Sequence, residues 1–211
     1  TTTARNAIKY YHDTLAVGGS WMESSHYNIE TPVHCLIGGV SLNNFYGVDY
    51  FPEVTAYWPT LAQFNICCLT PDLVLNHKWG DEQEPTTFQT WLWASQLGMV
   101  SGVMRGTSLG GQINQLILDL GTKYGFTGGA GSLTPVLQQC QCLYLFDDED
   151  PTESYEVNAN RAYYSSGIGI QFCRSGWADT DTLYANLGAR RVTDAEFGTW
   201  WPDHLVHFQG S

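Results

Sequence analysis

Hydrophobic and polar positions along the 211 residues change period once, near residue 150. Before that point apolar residues recur at helical spacing. Phe88, Trp91, Leu92 and Ser95 fall at i, i+3, i+4 and i+7, and Pro85 with Thr86 and Thr87 gives a start signal, so a helix is expected over 88–104. Ile113, Leu116, Ile117 and Leu120 repeat the stripe, with Gly121 as the expected stop. Val33, Ile37 and Val40 after Pro32 predict a further helix, as do Val136, Leu137, Leu143 and Phe146 after Pro135. Each of these stripes reads as buried core.

The run Asp147-Asp148-Glu149-Asp150-Pro151 is read as a solvated, charged boundary. Beyond it the period becomes two. Ile168, Ile170 and Phe172 alternate with Gly169, Gln171 and Cys173, and Leu183, Ala185 and Leu187 alternate with Thr182, Tyr184 and Asn186. Arg174 to Asp179 supplies the turn, so these two strands form a hairpin. The expected fold class is α+β: paired helices over 1–150, of a length that suits a helical toroid, then an antiparallel β module over 151–211. The chain opens on Thr1 without Met and stops inside an apparent strand, so a piece of a longer protein is expected. No stretch approaches the ~20 apolar residues of a membrane helix, and no signal peptide is recognisable.

Composition narrows the function classes. With 43% hydrophobic and 14% charged residues the chain can bury a core. A net charge of −12 opposes nucleic acid and anionic membranes, whose phosphates demand a basic footprint. Any anionic polysaccharide would need local donors, cations or a metal to overcome that field. Six cysteines, Cys35, Cys67, Cys68, Cys140, Cys142 and Cys173, have neither zinc-knuckle nor disulfide-framework spacing and are read mainly as buried thiols. They leave the redox compartment open.

Candidate chemistry concentrates at two places. The stretch Gly19-Ser20-Trp21-Met22-Glu23-Ser24-Ser25-His26-Tyr27-Asn28 gathers an acid, an imidazole, a phenol and an amide beside an indole. That composition suits a sugar site: Trp stacks on a pyranose, and Tyr exchanges protons with substrate. The second place is Asp203-His204-Leu205-Val206-His207-Phe208-Gln209-Gly210-Ser211. Trp79 and Trp177 are further candidate sugar platforms, although core packing is the commoner use for each.

The order of these motifs resembles the heparinase II/III-type polysaccharide lyases, which carry an (α/α) toroid followed by an antiparallel β-sandwich. Residues 19–27 are similar to the family's D-G-x-x-x-E-G-x-x-Y stretch, and Trp79-Gly80-Asp81-Glu82 to its G-D loop. Residues 169–177 resemble its first sandwich strand ending in R-S-x-W, and 203–211 its D/N-H-x-H-x-D-x-G-S segment. The resemblance implies a secreted or periplasmic enzyme acting on a uronic-acid polysaccharide by β-elimination. Such an enzyme neutralises the uronate carboxylate, removes the C5 proton and protonates the O4 leaving group. By motif position Tyr27 is the proton-transferring residue and His204 its partner imidazole. Trp21, Glu23, His26, Asn28, Trp79 and Arg174 are candidate substrate contacts. His207 is the candidate ligand of a structural divalent metal such as zinc, reached through a local bulge, because Val206 stands where the family's second His aligns and Phe208 where its Asp does. Further metal ligands and the carboxylate-neutralising segment are expected outside this stretch, in the rest of the chain or a second chain. Two other readings stay open: a toroidal glycoside hydrolase pairing Glu23 with Asp81 or Glu82 at roughly 6.5–9.5 Å if inverting, and a non-catalytic glycan binder.

Overall fold

The computed structural model describes residues 16–20, 52–73, 90–124, 149–178, 180–188 and 204–210, with isolated positions between 6 and 13, between 38 and 47, and at 147. Among the described residues the elements include the helices α1 (Pro52–Cys67), α2 (Thr90–Val103), α3 (Ser108–Tyr124) and the single turn α4 (Tyr155–Asn158). Four strands follow, β1 (Ala162–Ser165), β2 (Ile170–Arg174), β3 (Thr182–Gly188) and β4 (His204–Gly210), forming one antiparallel sheet in sequential order. The class is therefore α+β, with helices before an antiparallel sheet.

The sequence pattern did not single out α1, because Pro59 lies in its interior. Proline removes one helical hydrogen bond. The helix holds because burial outweighs that loss: Tyr57, Trp58, Leu61, Ala62, Phe64 and Ile66 are all buried, while Pro59 itself faces solvent. Apolar residues surround α1 because α2, α3 and β1 all contact it.

The expected helix over 88–104 is α2, which ends at Val103. The turn behind it needs Gly106, whose φ of +78° is a left-handed conformation. Thr107 then caps α3, its Oγ1 accepting the Gly110 N–H at 3.0 Å. Ile113, Leu116, Ile117 and Leu120 form the buried stripe of α3 as expected. The helix does not stop at Gly121 but continues to Tyr124. A mid-helix glycine costs only about 1 kcal/mol, less than the packing around it supplies. Backbone at 38, 40, 41 and 43–46 is helical, which includes Val40 of the helix expected after Pro32, while Val33 and Ile37 lie outside the described residues; the segment after Pro135 lies outside them up to Phe146.

In the sheet, Ile168 belongs to the turn between β1 and β2, and β2 starts at Ile170. The expected hairpin of β2 and β3 is present, with Phe172 opposite Ala185 and Arg174 opposite Leu183. On the inner face Ile170, Phe172, Leu183 and Ala185 are buried, and Phe172 meets Phe64 of α1 edge-on at 5.3 Å. One hydrophobic cluster thus holds residues from both sides of the boundary expected at 150. The acidic run is pinned at that boundary. Arg105 pairs with Asp150 at 2.6 Å and Asp147 at 3.8 Å, and Asn114 donates to the Asp150 carbonyl.

Candidate functional site

Trp21, Glu23, His26, Tyr27, Asn28 and Trp79 lie outside the described residues, as do Asp81 and Glu82. What the structure describes is the ground on which the first of these motifs begins. Residues 16–20 run into the 21–28 segment, and they are held by both layers of the fold. Gly18 and Gly19 have φ of +82° and +79°, which closes a turn with the Gly19 N–H on the Ala16 carbonyl at 2.9 Å. The β1–β2 hairpin then takes up this turn. The Gly167 N–H donates to the Val17 carbonyl at 2.8 Å, and the Tyr163 hydroxyl donates to the Gly18 carbonyl at 2.9 Å. Ser165 Oγ lies 3.0 Å from the Val17 carbonyl and 2.6 Å from Ser20 Oγ. Ser20 and Ser165 are both fully buried.

Neither glycine tolerates a side chain. A Cβ at Gly18 would come within 2.8 Å of Ser165 Cα, and one at Gly19 would overlap the Thr60 carbonyl of α1. Sequence reading noticed Gly19 as the opening of the motif but missed Tyr163 and Ser165. The available signal was Ala162-Tyr163-Tyr164-Ser165 followed by Ser166-Gly167, a short β-forming run before a turn.

Among the expected substrate contacts, Arg174 is the one whose side chain is described. It is 7% exposed, and all its partners are within the protein. Its Nη2 donates to the carbonyls of Cys67 at 2.7 Å, Leu69 at 3.1 Å and Ile66 at 3.2 Å, capping the end of α1. The guanidinium stacks over the Trp177 ring at 3.6 Å, and Tyr155 meets that indole edge-on at 4.8 Å. Trp177 is therefore packed between Arg174 and Tyr155. The C-terminal carbonyls of a helix carry partial negative charge, and an indole face attracts a cation. Burial pulls the Arg174 pKa down, while the thiols of Cys67 and Cys68 and the Tyr155 hydroxyl act the other way.

The Cys67 thiol beside this cap is free and buried; burial pushes its pKa from 9.0 up to about 12, with Arg174 opposing. Cys68 is also a buried thiol, its Sγ donating to the Asn65 carbonyl at 3.3 Å, and Cys173 a half-buried one. A raised acid pKa has a definite consequence for stability. Below about pH 9 the thiol is protonated in both states and its contribution is intact; from pH 9 toward 12 the unfolded chain releases a proton that the folded chain keeps. Stability should therefore fall above pH 9 by about 1.4 kcal/mol per pH unit from this group. Tyr155 and Tyr163, whose hydroxyls burial also pushes up, add to the loss at higher pH. Urea midpoints of wild type and Cys67→Ala between pH 8 and 10 check this: the variant's slope should be shallower, and equal slopes would refute it.

The other end of the candidate site is β4. His204 pairs with Gly188, and His207 with Ala185. The ladder runs one-to-one over all seven residues of each strand, so the bulge expected at His207 is absent. In an unbroken strand positions three apart lie on opposite faces. His204 and His207 therefore occupy register positions on opposite faces of the ladder. Among the described residues no group of three or more His, Cys, Asp or Glu is placed to hold one.

A pocket of about 150 Å³ opens at the α2–α3 turn, lined by Ser101, Arg105, Ser108, Asp150 and Glu153 among others. Its polar groups already have partners within the protein: Arg105 pairs with Asp150, and the Ser108 hydroxyl donates to the Glu153 carboxylate at 2.5 Å. Among the described residues no helix is long and apolar enough to cross a membrane. Comparison with protein-family models, with curated proteins and with solved structures finds no match to this chain.

Proposed function

We propose that the chain is part of a polysaccharide lyase, with an (α/α) toroid portion over 1–150 and the start of a β-sandwich over 151–211, that cleaves a uronic-acid-containing polysaccharide by β-elimination. The observation that carries this reading is the docking of residues 16–20 on the β1–β2 hairpin. It ties the segment leading to Tyr27 to the same sheet that ends in the His204 strand. A lyase of this kind needs a motif from the helical part and one from the sheet to work together.

In this reading the C5–H bond breaks as a base takes the proton, the C4–O4 bond breaks as O4 is protonated, and a C4–C5 double bond forms. Tyr27 transfers protons and His204 is its partner imidazole. A phenol with the ordinary pKa of about 10 is an acid near neutral pH, so Tyr27 suits the protonation of O4. Glu23, His26 and Asn28 are substrate contacts, and Trp21 and Trp79 offer rings to the sugar. Arg174 belongs to the framework beneath. The substrate is an anionic polysaccharide, and such an enzyme works in the periplasm or outside the cell.

The test is ultraviolet absorbance of the unsaturated uronate product across a panel of uronate polysaccharides. Tyr27→Phe should lower kcat roughly a hundredfold with unchanged far-ultraviolet circular dichroism. Reducing ends without that absorbance, or a rate indifferent to Tyr27→Phe, would overturn the reading.

A further inference from the structure

We infer that Ser165 and Tyr163 are positioning residues for the motif that opens at Gly19, holding through Ser20 and Gly18 the turn from which the chain continues to Trp21. This inference rests on the lyase reading for its catalytic consequence, although the clamp itself stands on geometry alone.

Proton counting makes the clamp specific. Each serine hydroxyl has one proton, and both groups are fully buried. Ser165 satisfies the pair by donating to the Val17 carbonyl and accepting from Ser20, so one side chain of β1 holds two backbone-adjacent points of the 16–20 turn. Tyr163 holds a third, the Gly18 carbonyl, with the Thr60 carbonyl of α1 at 3.4 Å behind it. Burial keeps the Tyr163 hydroxyl protonated through the working range, so the bond persists across it. Its ring is seated edge-on against Phe64 at 6.4 Å. Three points hold the 16–20 turn against β1, where one would leave a hinge.

Position makes the clamp consequential. Ser20 directly precedes Trp21 and stands seven residues before Tyr27. A displacement of about 1 Å at a catalytic group can cost on the order of a hundredfold in rate. Tyr163 and Ser165 alternate with the exposed Tyr164, so both point to the side of the sheet that meets α1. A strand that only packed there would carry apolar groups; this one carries two hydroxyls aimed at backbone carbonyls of a single turn.

The test uses the whole chain and the variants Ser165→Ala, Tyr163→Phe and the double variant, each read by amide hydrogen exchange and by kcat and KM separately. The expected result is faster exchange confined to residues 16–28, with α2 and α3 unchanged. On a polysaccharide that wild type cleaves, kcat should fall about ten- to a hundredfold while KM moves less than about twofold. Should Ser165→Ala not fold, Tyr163→Phe, which keeps the ring and its packing, decides the matter alone. Exchange unchanged over 16–28, or raised equally throughout the protein, overturns the clamp. Local loosening with undiminished kcat overturns the positioning role. If wild type cleaves no polysaccharide the lyase reading fails, and the exchange data still judge the clamp.

Discussion

Gly19→Ala should destabilise the protein by more than about 4 kcal/mol, leaving it largely unfolded under conditions where wild type is native. Two terms combine. An alanine at a φ of +79° is strained by about 1–2 kcal/mol. Its Cβ would also overlap the Thr60 carbonyl, with the Leu61 nitrogen 2.7 Å away, and neither atom can retreat. Both belong to α1, fixed by the buried Leu61, Ala62 and Phe64, and a flexible side-chain tip is not what blocks the space. Gly106→Ala is the matched control. Its φ is +78°, yet nothing lies within 4 Å of the added carbon, so it should lose only the strain. The difference between the two urea midpoints isolates the contact between α1 and the turn that opens the 21–28 segment. Equal midpoints would mean that this turn is not packed against α1 as described.

The helical stripe of α3 and the β2–β3 hairpin were legible because each writes its period directly into the sequence. Ile113, Leu116, Ile117 and Leu120 face one neighbour, and Leu183 and Ala185 face one layer. α1 was not legible for the opposite reason. It is enclosed on several sides, so its apolar residues have no clear period, and Pro59 argues locally against a helix that only tertiary packing sustains. β1 was hidden by brevity, its four residues carrying an exposed Tyr164 between the half-buried Tyr163 and buried Ser165. Gly121 illustrates how a stop signal yields to context: the residues after it still have a helix to join, and Lys123 in the last turn donates to the Asp72 carbonyl.

At the candidate site, residue type and order pointed to the 19–28 and 203–211 segments, since acid, imidazole and phenol are visible in any sequence. The framework beneath them was not visible, because it is built from long-range contacts. Ser20 and Ser165 are 145 residues apart. Arg174 and the Cys67 carbonyl are 107 apart. Nothing in either local stretch announces such a partner. Arg174 shows the same gap in another form: an arginine at a strand end has the chemistry to grip a carboxylate, and only the fold reveals the helix end that occupies it.

That helix end supports the second large effect. Arg174→Met should cost about 3 kcal/mol. Methionine keeps much of the length and the apolar stem but leaves the carbonyls of Cys67 and Leu69, in buried residues, without their donor and Ile66 with a weak one, the Leu69 N–H at 3.4 Å. Each unmet buried group costs about 1–3 kcal/mol. Relief of the buried guanidinium opposes this, since Nη1 has no partner. An unpartnered Nη1 group and a desolvated charge stand against two orphaned carbonyls, a third left with a weak donor, and a stacked indole, so the loss prevails. Arg174→Lys should fall between, near 2 kcal/mol, because an ammonium reaches the carbonyls but cannot lie flat on Trp177. The order wild type, Lys, Met in urea midpoint checks the argument; a methionine variant as stable as wild type would show that desolvation cancels the cap. The shape of the transition carries a further consequence. Arg174 belongs to the sheet and its acceptors to α1, within one shared hydrophobic cluster. Each variant should therefore shift a single cooperative transition, whereas two transitions, with only the second displaced, would mean that helices and sheet unfold as separate units.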